Sequence, residues 1–167
     1  MSLRFAIAGG GLLGRLTTWR LLKLGHHVHL VEAGSLHQCP GAAATAAGMV
    51  SPLAELVDSE AAIYEMGMHS LRLWPQWLAE LSGADSLFFQ SGSIVVAHPQ
   101  DQSELAEFIQ RLQFQQAPTA EYQQLNQTEL LQLEPDLHPF QQGLYLKTEA
   151  HINNQRLLQV LLEEIVR

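Results

Sequence analysis

Gly9, Gly11 and Gly14, with a carboxylate further on at Glu32, are the residues of this 167-residue chain whose types and spacing imply definite chemistry. The apolar run Phe5 to Ala8 precedes them and reads as a buried parallel strand. A helical pattern (Leu12, Leu13, Leu16, Trp19, Leu22) opens inside them. A second apolar strand, Val28 to Val31, leads into Glu32, close to the spacing of a dinucleotide-binding fingerprint. Each residue type has a physical task. Gly9 permits a tight turn out of the strand, Gly11 lacks the Cβ that would hold a pyrophosphate away, and Gly14 lets the helix lie close to the sheet. The helix start offers unpaired N–H groups and a positive dipole end to phosphates. Glu32 can accept both ribose hydroxyls of an adenosine, and its charge disfavours the 2′-phosphate of NADP. The expected ligand is an ADP-containing dinucleotide; the competing reading is a Gly-rich turn that binds nothing.

Composition narrows the remaining classes. Seventeen acidic against nine basic residues give a net charge of −8, which argues against nucleic acid or an anionic membrane as partner. No apolar run is long enough to span a bilayer, and the N-terminal segment lacks the features of a signal peptide, so a cytoplasmic location is expected. Cys39 is the only cysteine, which excludes an internal disulfide framework and gives its thiol no visible basic partner. His26, His27 and His29 invite a metal reading, but no third ligand is in reach, and a polar turn entering a strand accounts for them. No Ser/His/Asp order, paired carboxylates or Cys/His spacing is legible, so no catalytic residue and no metal site are assigned.

The second informative stretch is Gly41-Ala42-Ala43-Ala44-Thr45-Ala46-Ala47-Gly48-Met49. Propensity alone favours a short helix here; beside a dinucleotide fingerprint, such small side chains also let backbone come very near a ligand. With Pro52 and Glu55 following, the pattern resembles the N-terminal half of the FAD-dependent D-amino-acid-oxidase-like oxidoreductases. Within that family the resemblance is nearest to the glycine oxidase type of thiamine biosynthesis. It implies FAD contacts at Leu12, Leu13, Glu32, Ala33, Ala42, Ala43, Ala47, Gly48 and Met49 beside the three fingerprint glycines, with Met49 near the substrate side of the flavin. His151-Ile152-Asn153-Asn154 stands where family members often have His-Val-Asp-Pro. Asn for Asp keeps the capping role, and loss of the proline removes only a preset first-turn φ.

The intervening chain has its own pattern. Residues 53–82 read as a long helix or helix pair capped by Asp58 or Ser59, with Ile63, Met66, Leu73, Trp74, Trp77, Leu78 and Leu81 at helical spacing and Pro75 as kink or break. Trp74 and Trp77 are expected in the core rather than as a stacking platform. Residues 87–97 read as two strands around a Ser-Gly turn, a β-hairpin. Asp101 with Glu104, and Asn126 with Glu129, form capping-box patterns that start helices, the second covering Thr128 to Leu133. Gly143 to Lys147 reads as a strand, and Asn153 or Asn154 caps a last helix.

The expected fold is α/β: a Rossmann-like FAD/NAD(P)-binding β-α-β unit with an inserted α+β substrate-domain portion. Residues 1–50 and 150–167 would form an incomplete, discontinuous FAD-binding domain, and 51–149 part of the substrate-binding domain. No strand follows the last helix, whose apolar face is expected to have little to cover, so the chain reads as truncated.

The resemblance implies oxidation of a small amino acid or amine, such as glycine, sarcosine or a D-amino acid, to an imine. The hydride passes to flavin, and oxygen reoxidises the cofactor. Its partner is then a small molecule, and such families are often oligomeric, although no homo-oligomer interface is legible. Carboxylate-binding and catalytic residues are expected outside these 167 residues, so turnover by this chain alone is not expected. Two other readings compete: an NAD-dependent Rossmann dehydrogenase, which the Ala-rich loop and long insertion oppose, and a non-catalytic nucleotide-binding remnant.

Overall fold

The computed structural model describes residues 1–37 and 41–167; Cys39 lies outside the described residues. The chain opens with β1 (Arg4–Ala8), α1 (Leu12–Lys23), β2 (His27–Val31), the short helix α2 (Ala42–Thr45) and β3 (Met49–Val50). Next come α3 (Pro52–Glu55), α4 (Ala61–Ala79), β4 (Phe88–Phe89), β5 (Ser93–Val96) and α5 (Gln102–Phe114). It ends with β6 (Tyr122–Asn126), α6 (Gln127–Leu133), β7 (Gln142–Leu146), β8 (Ala150–Ile152) and α7 (Asn154–Ile165). These elements form two compact units. One comprises Met1–Met49, Trp74–Phe88 and Ile152–Arg167, the other Val50–Leu73 and Phe89–His151.

In the first unit β1 and β2 run parallel in the register Arg4↔His27 to Ala8↔Val31, joined by α1 as a crossover needs. Gly25 ends α1 at φ +79°, and its N–H and that of His26 reach back to the carbonyls of Leu22 and Leu21. This Schellman closure is open to glycine at little cost. The core gathers Trp19, Leu78, Leu81, Leu87, Leu157, Val160 and Leu161. Trp77 meets Trp19 edge-on at 6.3 Å and Trp74 at 6.0 Å, with the Arg20 guanidinium 5.4 Å from the Trp77 ring. The tryptophans therefore pack against the core, as their spacing implies. The expectation that the last helix has little to cover is corrected: Leu157, Leu158, Val160, Leu161 and Leu162 are all buried, because α7 lies along α1.

In the second unit β5, β7 and β6 form an antiparallel sheet in that order, with Ser93↔Leu146 and Tyr122↔Leu146 among the pairs. The expected hairpin around Ser91–Gly92 is corrected, since β5 pairs with β7 and β4 belongs to another sheet. Gly92 turns at φ +79° against the Tyr145 ring, and its N–H donates to the Glu149 carbonyl, which directs the following strand onto β7. β6 lies inside the Gln-rich stretch, where only Leu125 is buried and glutamine masks the alternation. Leu53, Leu105, Leu112, Leu144 and Leu146 form this unit's core.

Local signals fare unevenly. Asn126 and Glu129 form the full capping box, each side chain accepting the other's backbone N–H. Asp101 precedes α5 without a side-chain cap, because it ends a 3₁₀ turn at φ −110° and ψ 19°. α4 begins only at Ala61, so neither Asp58 nor Ser59 caps it; Asp58 pairs with Arg111 instead. The helix continues through Pro75, and Ile63 and Met66 are exposed although they share its apolar spacing. Burial of Leu71 and Leu78 on either side of the proline outweighs the lost hydrogen bond.

Glu149 is the buried carboxylate of this unit, 1 % exposed, accepting from the Ala54 N–H at 2.8 Å and from the Ser93 hydroxyl. Burial pushes its carboxyl above the usual 4.5, against the lowering effect of those donors. A raised folded value adds stability that is complete below pH 4.5 and lost as pH rises through the folded value. Glu149→Gln keeps an acceptor for Ala54 without the charge. Its melting temperature is expected to gain on the wild type as pH rises from 4.5 through the weakly acidic range. Parallel melting curves for the two proteins across that range would refute this.

Candidate functional site

The turn after β1 divides three tasks among three glycines. Gly9 sits at φ +101° and donates its N–H to the Val31 carbonyl at 2.7 Å, fastening the turn to the end of β2. A Cβ on Gly14 would lie 1.8 Å from the Gly9 carbonyl oxygen, so α1 can pass this close only without a side chain there. A Cβ on Gly11 would meet nothing within 4 Å. Gly11 therefore leaves a clear approach where Gly14 is packed shut. Gly11 is also the extended N-cap of α1, and no side chain caps the helix. The first-turn N–H groups are thus presented as an anion-binding end. Leu12 and Leu13 follow, with Leu13 79 % exposed despite its apolar character.

Glu32 closes the turn from the side. Its Oε2 accepts the Gly10 N–H at 2.6 Å and its Oε1 the Gly34 N–H at 3.3 Å, while Ala33 between them is exposed. The Gly10 donor first, then the Gly34 donor, hold its carboxyl below the usual value. Two acceptor oxygens with about four lone-pair positions leave capacity for hydroxyl donors.

The Ala-rich segment forms the short helix that propensity favours. Ala42–Thr45 is a helix of four residues, and the chain then runs extended from Ala46. Gly48 takes φ +74°, where a Cβ would stand 2.1 Å from the Ile152 carbonyl oxygen, and its own carbonyl accepts the Ile152 N–H at 2.8 Å. Ala42 and Ala47 are exposed, as is Met49 at 62 %, whereas Ala43 is half-buried. α7 serves both segments: α1 lies along it, and α2 meets its first turn.

Two side chains that hold these segments escape the motif. Arg15, 2 % exposed, donates through Nε to the Gly10 carbonyl at 2.6 Å, through one terminal nitrogen to Leu158 at 2.5 Å, and through the other to Leu36. Its place at helical spacing from Leu12, Trp19 and Leu22, on the face expected to be buried, is the signal that could have marked it. Asn154 donates its amide to the carbonyls of Ala46, at 2.6 Å, and Ala43, and Gln155 reaches Ala44 at 3.3 Å. Asn153, not Asn154, caps α7 by accepting the Arg156 N–H. Among the described residues no cluster of three or more metal-ligating side chains occurs, and no helix is long and apolar enough to cross a membrane. His27 and His29 lie exposed on one face of β2.

Residues 4–167 match the family described as DAO: FAD dependent oxidoreductase. Glycine oxidase from Geobacillus kaustophilus is similar over 98 % of this chain and 44 % of its own, at 25 % identity and a TM-score of 0.80. Glycine oxidase from Bacillus cereus ATCC 14579 follows at 22 % identity and TM-score 0.79, over 97 % of this chain and 44 % of its own. Iminodiacetate oxidase (IdaA) from Chelativorans sp. BNC1 shares 23 % identity at TM-score 0.77, over 98 % of this chain and 44 % of its own. The chain thus spans less than half the length of these solved relatives. No curated protein sequence matches it.

Two substitutions test the geometry. Gly14→Ala forces a methyl against a backbone oxygen that cannot swing aside and is expected to cost about 1–3 kcal/mol in denaturant unfolding; an unchanged midpoint would contradict the close approach. Glu32, with its lowered value, contributes stability that is present above pH 4.5 and lost as pH falls through the folded value. Glu32→Gln is therefore expected to flatten the acid side of the melting-temperature profile, and a profile that keeps its slope would count against the Gly10 contact.

Proposed function

Since the match over residues 4–167 makes this chain a member of the FAD-dependent oxidoreductase family, we propose that its first unit is the FAD-binding part of an oxidase acting on a small amino acid or amine. FAD is the family's cofactor, and the observation that carries its assignment to these residues is the open Cβ direction at Gly11 between Gly9, held at positive φ, and Gly14, where a side chain would meet backbone. Gly9, Gly11 and Gly14 would receive the pyrophosphate, together with the N–H groups of Leu12 and Leu13 at the uncapped start of α1. Glu32 and Ala33 would take the ribose end. Ala42, Ala43, Ala47, Gly48 and Met49 would line the flavin, where exposed Leu13 and Met49 give apolar contact. When bound, FAD supplies hydride-accepting chemistry that converts an amine to an imine, with oxygen as the final acceptor.

This chain's own share is orientation. It supplies fixed N–H donors, an ionised carboxylate for hydroxyl groups and a small-residue surface for close approach. We extend the reading to glycine, sarcosine or a D-amino acid as substrate class, and to glycine oxidation for thiamine biosynthesis in the cytoplasm. The glycine and iminodiacetate oxidases among the similar structures support the substrate class. The second unit would contribute to the substrate side.

Flavin retention tests the cofactor reading. The purified protein is expected to carry or take up FAD with its visible absorbance bands, and Gly11→Val to abolish uptake, because a branched Cβ fills the approach. Full FAD content in that variant would overturn the fingerprint assignment. Peroxide release with glycine, sarcosine and D-alanine, measured on a protein of the relatives' full length, tests the substrate class.

A further inference from the structure

We propose that Arg15 and Asn154 are positioning residues that fix two peptide groups, Gly10–Gly11 and Ala46–Ala47, so that their N–H groups face the cofactor. The proposal rests on the reading of these segments as FAD-facing backbone. In a trans peptide the carbonyl and the N–H point in opposite directions, so a donor that captures the oxygen also aims the hydrogen. The described residues contain no cis peptide. Arg15 Nε takes the Gly10 carbonyl at 2.6 Å, which turns the Gly11 N–H the other way. The Asn154 amide takes the Ala46 carbonyl at 2.6 Å, which turns the Ala47 N–H away from α7. Neither N–H has an acceptor among the described residues.

Both capturing side chains are themselves anchored. Arg15 spends its other donors on Leu158 and Leu36. Asn154 holds Ala43 as well as Ala46, and its Oδ1 accepts the Gln155 N–H at 3.0 Å. Neither residue is required to start its helix. Gly11 and Asn153 occupy the N-cap positions, and Asn154 is a first helical residue, where proline is equally suited. Their donors are thus directed at the backbone of the candidate site. N–H groups already aimed at a ligand need no reorganisation on binding, and there such donors are most effective.

The test uses the full chain. Asn154→Pro keeps the helix start and removes both amide donors. Asn154→Asp keeps a residue suited to the positive helix end but sets carboxylate oxygens against the carbonyls of Ala43 and Ala46. Apoprotein is titrated with FAD by flavin fluorescence, and amide hydrogen exchange is followed over residues 41–49 without FAD. The expected result is an FAD Kd raised by about tenfold or more and faster exchange confined to 41–49. The Asn154→Pro apoprotein keeps its melting temperature. Arg15→Lys, which keeps the charge but loses the three-way fork, is expected to weaken FAD binding as well.

Unchanged affinity and exchange in both Asn154 variants would overturn the positioning role if Gly11→Val still abolishes FAD uptake. Lost affinity accompanied by a general fall in apoprotein stability, without a local change in exchange, would overturn it too. FAD uptake that survives Gly11→Val would instead remove the fingerprint reading on which the proposal rests.

Discussion

The first unit depends on the approach of α1 to the turn that precedes it. With no side chain at Gly14, the helix passes so near the Gly9 carbonyl that an ideal Cβ would stand 1.8 Å from its oxygen. That approach sets where the helix begins, and hence where its uncapped N–H groups point. Gly9 can make the turn only at positive φ, and its N–H is then in place for Val31 at the end of β2. Strand and helix start are registered by backbone contact, and the side chains of Glu32 and Arg15 tie Gly10 into the same turn.

The same logic explains what the sequence made legible. Glycine positions forced by backbone geometry leave a residue-type signature, so Gly9, Gly14, Gly25 and Gly48 all fall where their φ or their close contacts require them. Capping also reads locally when both partners lie within one turn, as with Asn126 and Glu129. The fingerprint strands and α7 were visible from their apolar residues, though β1 and β2 alternate half-buried with exposed residues where a buried strand was expected, and the partner that covers α7 was not visible. What periodicity hides is pairing. Phe88–Phe89 and Ser93–Val96 look like neighbours, yet β5 takes β7 from some fifty residues on. Asp101 and Glu104 have the spacing of a capping box, but a preceding 3₁₀ turn holds Asp101 in the wrong backbone region. Arg15 and Asn154 bond to carbonyls, which every residue has, so nothing in their partners' identities could reveal them.

The two units hold buried polar groups in opposite ways. Arg15 is a buried cation whose hydrogen bonds among the described residues go to backbone carbonyls, whereas Glu149 is a buried carboxylate met by an amide and a hydroxyl. Removing a charge from water costs several kcal/mol, and hydrogen bonds to neutral groups offset only part of it. Arg15 fixes three separate stretches of backbone, and Glu149 fixes the start of α3 against β5.

The bonds that complete the first unit join residues far apart in the chain. Arg15 waits for Leu158, 143 residues later, and Ala43 for Asn154, 111 residues later. Contacts of such separation form late, because loop closure has to be met before they reward it. During synthesis the N-terminal strands and helix therefore leave the ribosome well before α7 exists to cover them. The second unit's sheet, whose strands all lie between residues 93 and 146, is complete by then. Arg15, and through it the turn after β1, gains its Leu158 partner only once α7 is present.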